Sequence, residues 1–185
     1  MNHLAAIAMF AAAMPLVVFA APAPSIDACA LLDAAQIGKV IGLPVSAGSR
    51  HDAGIENNGA WSSSCVWKLS AGADSTRRGF VILNAMQWPV GSGRAHEFLD
   101  SFRDAAAQGV LSATPSPRAI GDEALWWGDG LAVRRGDVSF GISVHVSNPS
   151  MNTPGAAEQR LAPLILRTLD RRQALSSGSS KPTRS

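Results

Sequence analysis

Two cysteines, Cys29 and Cys65, are the only thiols in this 185-residue chain, and both lie beyond an uncharged apolar run from Leu4 to Ala20. The run is shorter than the roughly 20 residues a membrane-spanning helix needs, and Pro15 interrupts it. Small residues at Val18 and Ala20 suit cleavage before Ala21, so residues 1–20 are expected to be a signal peptide. The Met1-Asn2-His3 start carries no Lys or Arg, which leaves a retained N-terminal anchor as the alternative. Lipidation at Cys29 competes, because a lipobox also ends in cysteine, but Asp27 stands close before it and residues 21–28 separate it from the run.

An oxidising compartment lets two cysteines pair, and closing a loop of about 37 residues stabilises a fold by roughly 3 to 4 kcal/mol in the loop-entropy model. The alternative is a pair of buried free thiols. The two cysteines have no CxxC spacing and no neighbouring histidine, so neither a zinc site nor redox catalysis is expected. Residues 21–26 read as a short linker, residues 27–173 as one domain large enough for a full core, and residues 174–185 as a disordered tail. Net charge is only +2, which does not point to nucleic acid. The positive excess lies at the C-terminus, where Arg160, Arg167, Arg171, Arg172, Lys181 and Arg184 outnumber Glu158 and Asp170.

Asp33 and Gln36 are spaced as a capping box ahead of Ile37, Val40 and Ile41, and Gly42 with Pro44 ends the helix they open. The polar Gly/Asn-rich stretch at residues 46–64, with His51, Asp52, Glu56, Asn57, Asn58 and Trp61, reads as an irregular exposed loop. Residues 64–70 alternate, with Cys65, Trp67 and Leu69 on one face. Residues 79–88 place Phe80, Ile82 and Met86 on one face, and the Gly/Asp/Ser turn at 71–78 makes the pair a hairpin. Ala95, Phe98, Leu99, Phe102 and Ala106 recur at helical spacing over residues 93–108, and Gly109 stops them. After a Pro/Ser-rich connection at 112–118, strands are expected at Ala124–Trp127, Leu131–Arg135 and Val138–Val146. Gly-Asp-Gly at 128–130 and Gly-Asp at 136–137 supply the tight turns of that meander. A closing helix follows Thr153-Pro154, with Leu161, Leu164, Ile165 and Leu169 towards the core and a kink or restart at Pro163. The expected class is α+β, an antiparallel sheet of five or more strands with about three helices packed mainly on one face.

Candidate chemistry is sparse. None of His3, His51, His96 and His145 has a second histidine at ligand spacing, so no metal site and no cofactor are expected. His51-Asp52 and His96-Glu97 set a base beside a carboxylate, and adjacent side chains diverge on regular structure. No G-x-S-x-G elbow is present, and Ser62, Ser63 and Ser64 read as a polar strand entry. Asp122 and Glu123 are either paired carboxylates or a solvated turn. More distinctive are Trp61, Trp67, Trp88, Trp126 and Trp127 in a chain with no tyrosine. Trp126 and Trp127 are consecutive on an expected strand, so they point to opposite faces. The outward ring, with Asp129, Arg134, Arg135 and the loop's Trp61, could form a stacking platform for a sugar, peptide or protein; the alternative is that a helix or the 46–64 loop covers both rings.

Taken in order, Asp27-x-Cys29-x-Leu31-Leu32, Gly42-Leu43-Pro44, Cys65-x-Trp67, Ile120-Gly121-Asp122-Glu123-Ala124 and the closing helix resemble a broad group of bacterial exported and lipoprotein-type domains of unknown function. The resemblance spans most of residues 27–172. It implies a disulfide-tied α+β domain and transfers no catalytic residue; the chain departs from the group in lacking a lipobox. Size, export and sparse chemistry fit a non-enzymatic periplasmic or secreted binding module for a protein or cell-wall component, inhibitor- or immunity-like in form, without stable membrane insertion. Two other readings are a small envelope hydrolase using His51 with Asp52 or Asp122, and a structural accessory of an envelope complex.

Overall fold

The computed structural model describes residues 25–70, 79–147 and 155–178. The expected signal peptide, most of the linker, the 71–78 turn, Thr153-Pro154 and residues 179–185 lie outside them. The described residues form three α-helices and seven strands: α1 (Ala34–Ile41), β1 (Ser49–Ile55), β2 (Trp61–Leu69), β3 (Gly79–Gln87), α2 (Glu97–Ala107), β4 (Ser116–Pro117), β5 (Glu123–Trp126), β6 (Leu131–Arg135), β7 (Val138–Val146) and α3 (Ala156–Gly178). Short 3-10 turns at Ala28–Ala30 and Arg94–His96 lead towards α1 and into α2. The chain is α+β: one fully antiparallel sheet in the order β1-β2-β3-β7-β6-β5-β4. Two meanders, β1 to β3 and β4 to β7, are thus joined where β3 pairs with β7.

Side-chain parity sorts the sheet into two faces. Cys65, Trp67 and Leu69 of β2 lie beside Val81 and Leu83 of β3, which lie beside Ile142 and Val144 of β7, and Phe140 continues the row to Val133 of β6. These residues meet Leu31, Leu32 and Ile37 from the N-terminal segment and α1, and Leu161, Ala162, Ile165 and Leu169 from α3, in the main core. Phe80, Ile82 and Met86 do share one face of β3, and it is the face turned away from this core. There, α2 and the 3-10 turn leading into it pack, with Leu99 buried against Leu125 and Ala132 and Ala95 beside Met86 and Trp88.

The N-terminal segment is fastened to β2 by three residues of one face. The Trp61 indole N–H donates to the Ile26 carbonyl at 3.1 Å, the Ser63 hydroxyl accepts from the Ala28 amide at 3.1 Å, and Cys65 forms the disulfide with Cys29 across a Cα separation of 5.1 Å. The expected capping box is in place: Asp33 accepts from the Gln36 amide at 2.7 Å while Gln36 accepts from the Asp33 amide at 3.1 Å. Gly42 ends α1 at φ 76°, a conformation that glycine adopts without strain.

Four expectations shift. The 46–64 stretch is not an irregular loop, because β1 occupies Ser49–Ile55 and β2 begins at Trp61. As an edge strand β1 is solvated on both sides, and a bulge between Asp52 and Gly54 breaks its period, so no alternation marks it. Pro163 does not divide α3, since buried Leu161, Ala162, Ile165 and Leu169 flank it on both sides and hold one helix against the sheet. That helix continues past residue 173 to Gly178. The Pro/Ser connection also contributes a short edge strand, β4, paired with β5.

Replacing both Cys29 and Cys65 with serine should lower the stability of the protein by about 3 to 4 kcal/mol. Urea unfolding monitored by tryptophan fluorescence, with and without reductant, measures this: reductant should affect only the unsubstituted protein.

Candidate functional site

The tryptophans reach both faces, as strand parity requires, and each is engaged. Trp126 packs at the edge of the main core, where a Cβ on Gly155 would come within 3.0 Å of its ring. Trp127 stacks on Phe102 of α2 with ring centroids 4.4 Å apart and an interplanar angle of 17°. A Cβ on Gly130 would stand 2.2 Å from Trp127, so that glycine lets the ring lie flat. Arg134 is held by Asp122 and Glu123, and Arg135 by Asp122 and Asp170. Asp129 is exposed, 3.8 Å from His145, and Trp61 lies across the sheet over the N-terminal segment. These six residues lie on different elements and faces, and both rings of the Trp126-Trp127 pair are half-buried, Trp127 against Phe102 of α2 and Trp126 at the edge of the main core.

The catalytic alternative is equally dispersed. His51 and Asp52 alternate on β1, and Asp52 is engaged by Arg50, which also pairs with Asp27. Asp122 lies just before β5, with β2, β3, β7 and β6 between that strand and β1. At a strand spacing of about 4.8 Å this puts about 24 Å between His51 and Asp122. Asp122 is also committed, accepting from the Gly136 amide at 2.7 Å; that bond and the Arg135 and Arg134 guanidiniums hold its carboxyl below the usual carboxylate range. Ser63 is buried under the N-terminal segment. His145 lies against Phe80, ring centroids 4.6 Å apart. Among the described residues no three His, Cys, Asp or Glu side chains gather so as to hold a metal ion.

What the fold does assemble is a groove on the face that α2 only partly covers. It encloses about 430 Å³ between Ser62, Asn84 and Met86 of the sheet, Glu56 and Asn58 of the β1–β2 turn, and Trp88, Glu97, Phe98 and Ser101 at and beside α2. Its walls are fixed. Trp88 is buried, donates its indole N–H to the Ser139 hydroxyl at 2.9 Å, and has the Arg94 guanidinium 5.7 Å from its ring centroid. Arg94 grips both carboxylate oxygens of Glu97 and donates to the Asn58 carbonyl at 2.8 Å, tying the start of α2 to the β1–β2 turn and closing that end. The Arg94 hydrogen bonds hold the Glu97 carboxyl below its usual range. Asn58 accepts from the Ala60 amide at 3.0 Å. The Glu56 carboxylate, the Ser62 hydroxyl and the Asn84 amide have no side-chain partner among the described residues, so the groove presents open acceptors and donors to a ligand.

Sequence reasoning named Ser62 and Met86 for their strands and Glu56 and Asn58 for a loop, but did not join them. The available signal was the polar parity of Ser62 and Asn84 on the face opposite Cys65 and Leu83, across from the Glu97-Phe98-Ser101 side of α2. Comparison with protein-family models, with curated proteins and with solved structures finds no match for the chain. No described helix is long and apolar enough to cross a membrane.

Outside the groove, Glu158 is buried in the first turn of α3, 4% exposed, and accepts from the Val144 amide at 2.9 Å. That amide lies on β7 beyond Ile142, the last residue of that strand paired with β6. Burial pushes the Glu158 carboxyl above its usual range, outweighing its backbone hydrogen bonds. The folded state thus favours the protonated acid, and this contribution is full at low pH and fades as pH rises through the raised value. Glu158→Gln keeps the acceptor and removes the charge. It should raise the melting temperature at pH 7 by about 2 to 4 °C, corresponding to about 1 kcal/mol in a domain of this size, and leave it nearly unchanged at pH 4. Calorimetry across that pH range checks the crossover.

Proposed function

We propose that this chain is an exported binding module, periplasmic or secreted, that holds a protein or cell-wall component in the groove between α2 and the sheet. The observation that carries this reading is a concave site whose walls are locked by Arg94, Trp88 and Ser139 while Glu56, Ser62 and Asn84 remain uncommitted. Preorganised walls with open hydrogen-bonding groups suit recognition, because little ordering cost remains at binding. Export is supported by the apolar N-terminal run, by the disulfide and by the resemblance to exported lipoprotein-type domains. The dispersal of His51, Asp52 and Asp122 favours binding over the hydrolase reading.

The test is occlusion. Ser101→Trp places an indole over the groove from the exposed side of α2, whereas Leu175→Ser alters an exposed residue of α3. With the oxidised mature protein immobilised, envelope components and peptidoglycan retained by the unsubstituted chain should be lost with Ser101→Trp and kept with Leu175→Ser. Retention unchanged by Ser101→Trp removes the groove from the function.

A further inference from the structure

The groove's charge and shape narrow the ligand. Two carboxylates line it, Glu56 and Glu97, and they are not equivalent. Glu97 is neutralised by the two-pronged contact from Arg94, at 2.5 and 3.0 Å, and that guanidinium is further occupied by the Asn58 carbonyl. Glu56 has only its backbone engaged, its amide donating to the Ala60 carbonyl at 2.8 Å. Among the described lining residues it is the one uncompensated charge. The groove's apolar lining includes the half-buried Phe98 with Met86, 8% exposed, beside it, and its neutral polar lining includes the Ser62 hydroxyl and the Asn84 amide.

A sugar ring fits this arrangement poorly. Its C–H face stacks on an exposed flat ring, and here Trp88 is 1% exposed while Phe98 meets Phe102 edge-on at 5.3 Å. A flexible methylene stem ending in a cation fits well. The stem lies along Phe98, with the exposed edge of Met86 beside it, and the cation reaches a carboxylate that has no other side-chain counter-ion among the described residues. An amide such as that of Asn84, with both donor and acceptor free, matches a peptide group.

Resting on the reading of the groove as a binding site, we infer that it takes the side chain of a lysine or arginine presented by a polypeptide ligand. Glu56 is its counter-ion, Met86 and Phe98 flank the stem, and Asn84 engages the ligand's main chain. The Arg94–Glu97 pair keeps the α2 wall neutral, so selection for the cation falls to Glu56.

The experiment uses the oxidised mature protein, 15N-labelled, titrated with N-acetyl-lysine amide and with its uncharged des-amino analogue, N-acetyl-norleucine amide. Saturable amide shifts confined to Ser62, Asn84, Phe98 and Ser101 are expected with the lysine probe, at an affinity about twofold to fivefold above that of the norleucine probe. Glu56→Gln should bring the two probes to equal affinity; the norleucine comparison on unsubstituted protein gives the same discrimination without a substitution. Equal binding of both probes to unsubstituted protein, or undiminished lysine preference in Glu56→Gln, overturns the inference. If Ser101→Trp still abolishes ligand retention in that case, the groove remains the binding site and only the ligand class is wrong. If the lysine probe causes no saturable shift at the groove and Ser101→Trp is also without effect, both fail.

Discussion

One row of side chains on β2 sets the geometry of the whole chain. Trp61, Ser63 and Cys65 alternate on the face turned to the main core, and each fixes a different point of the segment ahead of α1 through an indole N–H, a hydroxyl and a disulfide. The indole and hydroxyl satisfy backbone groups that would otherwise be buried without partners, a loss of about 1 to 3 kcal/mol each. The disulfide adds a covalent limit on how far that segment can leave. Arg50 extends the same fastening to the edge, reaching Asp27 and Asp52 from β1. At the far end the Arg172 guanidinium donates to the Ala30 carbonyl at 3.1 Å, so α3 closes over the same segment.

The opposite face of the sheet follows from this. With α1, α3 and the N-terminal segment all committed to one side, only α2 is left to cover the other, and a single helix cannot span seven strands. It sits over the β5–β6–β7 side, where Leu99 meets Leu125 and Ala132. Beside it Ser62 and Asn84 of the floor stay accessible, with Met86 nearly buried between the sheet and α2's start. The groove is therefore a consequence of unequal helical cover, and Arg94 turns it into a defined site by bracing α2 against the β1–β2 turn.

How legible this was in the sequence depended on how local each signal is. The α1 capping box and the β5 to β7 meander rest on short spacings and stand where those spacings place them, while the disulfide was legible because the chain has two cysteines. β1 was missed because an edge strand need not alternate, and its bulge at Asp52/Gly54 removes what periodicity remained. The Trp126-Trp127 parity was legible, but not what lies over the rings: Phe102 and the start of α3 arrive from distant parts of the chain. The groove was hidden for the same reason. Glu56, Asn84 and Phe98 have no sequence spacing in common and meet only because β2 pairs with β3 and α2 folds back across them.

The most direct check of the β2 fastening is amide hydrogen exchange, read by mass spectrometry, on the oxidised and the reduced protein. If that row organises the fold, reduction should sharply lower protection over residues 26–41 and β1 while α2 and the β5 to β7 meander keep theirs. Uniform loss across the chain, or protection over residues 26–41 that survives reduction intact, would contradict the account.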